Sequence, residues 1–374
     1  MKKRIVFFIV AIVLSINFML ISPVIHPIYN EPVEVVKCNA EALGWIKDFF
    51  RNLFGKNKVE SSEQPIDVYL GGNPLGFTLT CEGVVVVAIS NVMTPEGDRK
   101  PTQNSDIKEG DILYSLNGRI LESAADIEQI INNKEMQGKT LEAEVLRGKN
   151  KHKTQIKPEL DTLSEKYKLG LWIRDNAAGV GTLTYIRKDN KRFGALGHPV
   201  CDIDTGSKMH IKTGNIFNCN IVGISKGKRG TPGELRGMFL KSGKSLGVLD
   251  KNSDVGVYGK FEANAAKYTN NRQAKTATKN QVKTGKAKIL CTLSGTVPDY
   301  YDIDIVKINY ADNKKNMVIR ITDDRLLEKS GGIVQGMSGS PIVQNEALVG
   351  AMTHVFVNDP TKGFAVYIDY MVNN

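Results

Sequence analysis

The chain has 374 residues, 41% of them apolar and 24% charged, with a formal net charge of +10. That length suits two folded domains plus extensions, and the balance of apolar to charged residues excludes wholesale disorder. The basic excess does not point to nucleic acid, because no zinc-finger spacing and no RNA-binding aromatic motif accompanies it; an anionic membrane surface explains it better.

The N-terminus supports that explanation. Lys2, Lys3 and Arg4 precede an apolar run from Ile5 to Ile21, broken only by Ser15 and Asn17. The run lies near the lower end of the roughly 17–25 residues that span a bilayer, and the preceding charges hold the N-terminus in the cytoplasm. Residues 1–22 are therefore expected to form an uncleaved transmembrane signal anchor, which exports the rest of the chain. A cleaved signal peptide is the rival reading, but "LISPVIHP" shows no A-x-A cleavage pattern. Residues 23–64 read as a juxtamembrane segment and linker. Within them "EALGWIKDFFRNLFGKNK" sets Leu43, Ile46, Phe50 and Leu53 at helical spacing. That helix either lies in a membrane interface or docks on the protein's own core. The five cysteines are odd in number and widely spaced, so they imply no disulfide framework.

From Ile66 the texture changes to short apolar runs separated by turns, the mark of strands. Ser123 is a candidate N-cap for a helix whose apolar face is Ile127, Ile130 and Ile131. Residues 65–160 resemble a PDZ domain. "NPLGF", Asn73–Phe77, looks like that family's carboxylate-binding loop, and "IKEGDILYSLNGRIL", Ile107–Leu121, matches its strand and Asn-Gly hairpin. The resemblance implies that Pro74, Leu75, Gly76 and Phe77 bind a peptide C-terminus, with the peptide added as a strand beside the helix.

Residues 161–374 again read as short strands, rich in Gly and without long helices, which suits one barrel or a pair of barrels. Between Ala263 and Pro298 basic residues recur without any acid, as expected of a solvated loop or a basic loop at a membrane surface.

The chemistry centres on "GGIVQGMSGSPIVQ". A serine hydroxyl becomes a nucleophile only with a base in hydrogen-bond reach, and its reaction needs donors aimed at the developing oxyanion. A Gly-rich turn supplies such donors from main-chain N–H groups. The turn resembles G-D-S-G-G-P of chymotrypsin-like serine peptidases, which places the nucleophile at Ser338 and the oxyanion donors at the N–H groups of Gly336 and Ser338. Met337 replaces the acid of that pattern. Ser340 replaces a glycine and is read as a small residue that keeps the turn. Thr353 and His354 are expected to line the substrate cleft.

Among the five histidines, His198 in "FGALGHPV" sits on a tight turn after a strand and is the candidate general base. A metal site from His198, Cys201, His210 and Cys219 is weighed and set aside, since the spacings match no compact zinc pattern; no metal or other cofactor is expected. For the acid that would orient the base, the residues leave several candidates open: Asp202 and Asp204, Asp302 and Asp304, and Asp323 and Asp324.

An anchor, a PDZ-like segment, "GALGHP" and "QGMSGSP" in this order resemble the stage IV sporulation protein B family of signalling serine peptidases from endospore-forming Firmicutes. The resemblance implies a mainly β fold with a chymotrypsin-like barrel domain, Ser338 and His198 as the catalytic pair, and Asp323 as the acid. It also implies a role: cleavage of a regulator of an intramembrane metalloprotease between the two forespore membranes, leading to late sigma-factor activation, with cleavage of its own chain. A quality-control PDZ peptidase of the high-temperature-requirement type is the alternative, but there the peptidase precedes the PDZ module. A non-catalytic PDZ scaffold is the other, and the intact serine and histidine motifs argue against it.

Overall fold

A computed structural model describes residues 64–374, apart from 149, 240, 242 and 310–313. The expected anchor and amphipathic segment lie outside the described residues. Among the described residues no helix is long and apolar enough to cross a membrane.

The strands form where β-branched and aromatic residues cluster, because such side chains lose less freedom on a pleated surface than in a helix. Strand β1 (Pro74–Ile89), ending in "VVVVAI", leads into an inserted lobe of β2 (Ile112–Leu116), helix α1 (Ala124–Ile131), β3 (Leu141–Arg147) and β4 (Asn150–Ile156). The chain returns as β5 (Leu171–Arg187) and β6 (Arg192–Ala195), then β7 (Ile211–Asn218). A hairpin of β8 (Asn220–Ser225) and β9 (Glu234–Met238) precedes β10 (Gly247–Ser253) and β11 (Gly256–Phe261). The C-terminal part runs β12 (Gly285–Cys291), β13 (Asp299–Ile308), β14 (Met317–Ile321), helix α2 (Asp324–Ser330), β15 (Pro341–Gln344), β16 (Ala347–Phe356) and β17 (Asp359–Tyr367).

Pairing turns these strands into two barrels. β1 pairs with both β5 and β7, β5 with β6, β6 with β11, β11 with β10, and β10 with β7, all antiparallel, so six strands close a ring. The second barrel closes in the order β12-β13-β14-β17-β16-β15. Closure removes the sheet edges that would otherwise template aggregation. The first barrel is filled by Leu79, Leu183, Phe193, Ile216, Leu249 and Phe261, and the second by Ile289, Ile303, Ile319, Ile342 and Met352. Each such side chain contributes about 1.5–3 kcal/mol on full burial. A third cluster, with Tyr185, Tyr258, Leu348 and Ile368, joins residues of both barrels and fastens them together.

The inserted lobe has its own core, in which the Ile127, Ile130 and Ile131 face of α1 packs with Leu113, Leu141 and Val145. α1 begins as its sequence indicates: Asp126 accepts from the Ser123 N–H at 2.9 Å, one half of a capping box. β1 and β5 pass from barrel to lobe through one irregularity. Thr80 faces Asn176 and Val85 faces Arg174, so residues 81–84 of β1 oppose a single residue of β5. Such a bulge bends the pair outward, and the tail of β1 then pairs with β2.

This topology corrects three expectations. The division into 65–160 and 161–374 does not hold, because β1 is a wall of the first barrel and the lobe is inserted between that barrel's first and second strands. Pro74, Leu75, Gly76 and Phe77 are not an open loop. They lie opposite Thr182, Gly181, Val180 and Gly179 of β5, and Leu75, Gly76 and Phe77 also face β7. Leu75 and Phe77 are buried in the barrel core, so no row of free N–H groups is left there for a carboxylate. The basic interval 263–298 is not one solvated loop either. It contributes a strand, Gln273–Lys275, beside Asp67–Leu70, and it contains β12; Arg272 within it donates to Asn73 Oδ1 at 2.7 Å.

Candidate active site

Ser338 comes from the second barrel, in the turn between α2 and β15, and His198 from the first, in the turn after β6. Both line one cavity of about 460 Å³, together with Gly336, Cys201, Thr353 and His354. A larger hollow of about 870 Å³, lined by Lys286, Tyr300 and Glu346 among others, has no serine, cysteine or histidine on its walls. Chemistry therefore identifies the site, and size does not.

The serine turn is built by short-range bonds. Met337 N donates to Val334 O at 3.2 Å and Ser340 N to Met337 O at 2.9 Å. Ser340 Oγ also donates to Met337 O at 2.6 Å, and this hydroxyl is fully buried, so Ser340 closes the turn as well as fitting inside it. Met337, at the position of the acid in the peptidase pattern, is fully buried in the second barrel's core and anchors the turn by packing. Gly336 and Gly339 have φ of +94° and +96°, and a Cβ on Gly339 would stand 2.2 Å from the Thr182 carbonyl oxygen, so no other residue fits there. Of the turn's main-chain N–H groups, those of Met337 and Ser340 donate within it and that of Gly339 donates to Met352 O on β16. Among the described residues no main-chain acceptor takes the N–H of Gly336 or Ser338 outside regular strands, which is what an oxyanion pocket requires.

Two threonines of β5 hold the turn from the other barrel. Thr182 Oγ1 donates to Gly336 O at 2.8 Å, Thr184 Oγ1 donates to Gly339 O at 2.7 Å, and Thr182 N donates to Ser338 O at 3.0 Å. Reading the residues in order does not single them out. The available signal is the Thr-x-Thr spacing in "GTLTYI", which places both hydroxyls on one face of a strand.

His198 follows two residues of positive φ, Leu196 at 68° and Gly197 at 69°, which swing the imidazole out of the barrel wall. Its Nδ1 lies 2.8 Å from the Pro199 carbonyl oxygen. A carbonyl only accepts, so Nδ1 carries the proton and Nε2 is the free, basic nitrogen. Burial holds the His198 pKa below the usual histidine value, and the bond to Pro199 partly offsets that effect. The imidazole is thus neutral at neutral pH and ready to take a proton. The ring of His354 lies 5.0 Å from that of His198, centroid to centroid. Desolvation against the cavity wall, with repulsion from His198 and Lys315, pushes His354 down to about 4, although the ring keeps an exposed edge. A base that weak is a poor match for chemistry near pH 7.

Ser338 Oγ donates to Thr353 O at 2.7 Å. The hydroxyl is thus engaged with the cleft wall and makes no hydrogen bond to His198, whose ring lines the same cavity.

None of the candidate acids bonds His198. Asp323 is the N-cap of α2: it accepts from Arg325 N at 3.0 Å and Arg325 Nη2 at 2.9 Å, and Asp302 N donates to it at 3.1 Å. The Arg325 bonds hold its carboxyl below the usual aspartate range. Asp302 binds Lys288 at 2.7 Å, Asp304 binds Arg320 at 2.9 Å, and Asp324 begins α2. Asp202 binds Arg174, and Asp204 binds the same guanidinium at 2.7 Å. The expected place of Asp323 beside the imidazole is corrected: its oxygens are consumed by a helix cap and an arginine. Among the described residues no group of three or more His, Cys, Asp or Glu side chains is gathered as a metal site.

A second candidate site lies in the inserted lobe. A groove of about 770 Å³ separates α1 from the start of β5, with Ala125, Ile131, Leu169, Leu171 and Trp172 on its walls. The first residues of β5 pair with β1 on one side, leaving the groove side for an added strand. Tyr167 N donates to Asn132 Oδ1 at 2.9 Å, and Ala124 N to Asp175 Oδ2 at 3.0 Å, so each end of α1 is tied across the groove. "KLGL", Lys168–Leu171, repeats the apolar-Gly-apolar pattern of "PLGF", and the structure puts this second copy, not the first, at the groove.

Comparison with known proteins matches residues 165–372 to the family described as SpoIVB peptidase S55. No curated protein matches the chain. Among solved structures, the PDZ domain of the SdrC-like protein from Listeria monocytogenes is similar over 25% of this chain and 90% of its own, at 19% identity and a TM-score of 0.20. The Rv3671c protease from M. tuberculosis is similar in its active form over 52% of this chain and 72% of its own, at 15% identity and a TM-score of 0.27. Its inactive form is similar over 52% and 81%, at 14% identity and a TM-score of 0.27.

Proposed function

This chain belongs to the SpoIVB peptidase S55 family and is a serine peptidase, and on that premise we propose that it is an exported, membrane-anchored endopeptidase that signals during endospore formation. Its substrate is the outer domain of a regulator that restrains an intramembrane metalloprotease, in the space between the two forespore membranes. That cut leads to late sigma-factor activation. The enzyme also cuts its own chain. Family membership and the order of anchor-like run, PDZ-like lobe and peptidase motifs support this reading.

The observation that carries the enzymatic part is one cavity holding Ser338, His198 with Nε2 free, and the uncommitted N–H groups of Gly336 and Ser338. On substrate binding Ser338 Oγ leaves Thr353 O and turns to His198. Nε2 takes its proton as Oγ attacks the peptide carbonyl. The Gly336 and Ser338 N–H groups stabilise the tetrahedral oxyanion. The imidazolium then protonates the leaving amine, and water repeats the sequence to free the acyl group. The groove beside α1 takes an extended peptide end as an added strand, which delivers protein substrates to the cleft.

The test is incubation of the full-length chain in detergent micelles, wild type beside Ser338→Ala, with a regulator's outer domain and mass spectrometry of every fragment. Fragments of both regulator and enzyme should form with wild type and vanish with Ser338→Ala. Cleavage that persists in the variant overturns the nucleophile. Cleavage of unrelated unfolded proteins with sparing of the regulator overturns the signalling role.

A further inference from the structure

The imidazole of His198 lacks a carboxylate, yet its orientation is fixed. Pro199 O, which accepts from Nδ1, belongs to the planar peptide unit that ends in Val200 N. That N–H donates in turn to Asn252 Oδ1 at 2.9 Å. One peptide therefore joins the imidazole at its carbonyl end to a side-chain amide at its N–H end. Bonds in such a chain polarise one another: a donated N–H strengthens the carbonyl of the same unit as an acceptor.

Asn252 is itself held without ambiguity. Its Nδ2 donates to Val200 O at 2.7 Å and to Met209 O at 2.9 Å. Two carbonyls require donors and one N–H requires an acceptor, so the amide fits in one orientation only. Asn252 stands at the end of β10, whose turn into β11 adjoins the loop after His198, and it fastens both limbs of that loop to the barrel.

We propose that Asn252 is a positioning residue of the catalytic base, acting through the Pro199–Val200 peptide. The proposal rests on the reading of Ser338 and His198 as nucleophile and base. The charged and titratable groups around the loop are already engaged. Asp202 and Asp204 bind Arg174, Asp254 binds Lys208 at 3.0 Å and Lys314 at 2.9 Å, and His354 is the ring neighbour of His198, with Lys315 acting on it. Cys201 faces the same cavity. A dipolar partner stabilises the imidazolium less than a carboxylate does, and the base keeps a low affinity for protons.

Full-length Asn252→Ala and Asn252→Asp variants test this, compared with wild type and Ser338→Ala on one fluorogenic peptide. Labelling by a fluorophosphonate counts folded, competent sites, so a variant that fails to fold is recognised and normalised. Asn252→Ala should lower kcat by about threefold to tenfold, the scale of one lost hydrogen bond between neutral groups, with KM changed less than about twofold. Asn252→Asp retains the acceptor and adds a negative charge. It also sets a carboxylate oxygen against the Val200 and Met209 carbonyls that Nδ2 served, so kcat should stay below wild type, while the acid limb of the pH profile moves upward because the charge favours the imidazolium. A kcat unchanged in Asn252→Ala overturns the relay, as do equal losses in both variants with the pH profile unmoved. Hydrolysis that survives in Ser338→Ala overturns instead the reading beneath it, whatever the Asn252 variants do.

Discussion

The two barrels hold their reactive groups in opposite ways. The serine turn of the second barrel is tied across the domain interface, with Gly336 O, Ser338 O and Gly339 O all receiving bonds from β5 of the first. The histidine turn is held by its own barrel, through Pro199, Val200 and Asn252. The nucleophile and its oxyanion donors thus depend on how the barrels dock, whereas the base depends on one loop. Disturbing the docking should damage positioning of the serine while leaving the protonation of the histidine as it was. Disturbing the loop should do the reverse.

The largest effects come from removing the groups themselves. Ser338→Ala and His198→Ala should each reduce hydrolysis by on the order of 10⁴-fold or more, and not additively, because the two act as a unit. His354→Ala should leave cleavage readily measurable. An inactive His354→Ala beside an active His198→Ala would move the base to the other ring.

Next comes the interface. Thr182→Val with Thr184→Val keeps the side-chain shape but deprives Gly336 O and Gly339 O of donors. Each buried acceptor so stranded costs about 1–3 kcal/mol. Activity should fall by about tenfold or more with the acid limb of the pH profile unmoved, as steady-state kinetics would show. A shifted limb would mean that the two turns are not independent.

The acid limb itself is the third check. Burial depresses the His198 pKa, so the base stays deprotonated until the pH drops below the ordinary histidine value of about 6.5. kcat/KM should therefore be flat from neutral pH down past that value and fall below it. A fall beginning above pH 7 would require a carboxylate near the imidazole that the structure does not place there.

A smaller effect is expected from the groove. Ala125 is exposed on the first turn of α1 and lines the groove, so Ala125→Trp should fill it without disturbing the core. Cleavage of folded protein substrates should drop by about threefold to tenfold, while short internal peptides are cut as before. Equal loss on both substrates would place the defect at the barrels.

These contrasts also mark what was legible in the residues alone. Ser338 and His198 are readable because each sits in a local backbone device, a Gly-rich turn or a Gly-His-Pro turn, that sequence spells out over a few positions. Asn252 is not, because its amide takes its meaning from partners more than forty residues away in the chain, Val200 and Met209, and at Asp323 a local helix cap with Arg325, two residues on, stands where the family pattern implies an acid. The groove loop shows the same limit. "PLGF" and "KLGL" carry equivalent local signals, and only strand pairing decides that the first is a barrel wall. The insertion of one domain within another is hidden for the same reason. β1 and β5 are continuous strands with no linker composition where the lobe departs and returns.

Asp323 gives the smallest expected effect on catalysis and a sharp test of the histidine side of the comparison. Its carboxylate caps α2 and binds Arg325. Because the folded pKa is depressed, the stabilisation is fully present above the ordinary aspartate value of about 3.9 and is lost as the pH falls through the folded value. Asp323→Asn retains part of the cap and loses the charge pairing. It should cost roughly 0.5–2 kcal/mol of stability at neutral pH, seen as a lower Tm, and the loss should narrow in acid as wild type surrenders the same charge. Hydrolysis per folded molecule should change less than about threefold. A fall of a thousandfold with the fold intact would make Asp323 the partner of the imidazole after all, and would require α2 to move in the active enzyme.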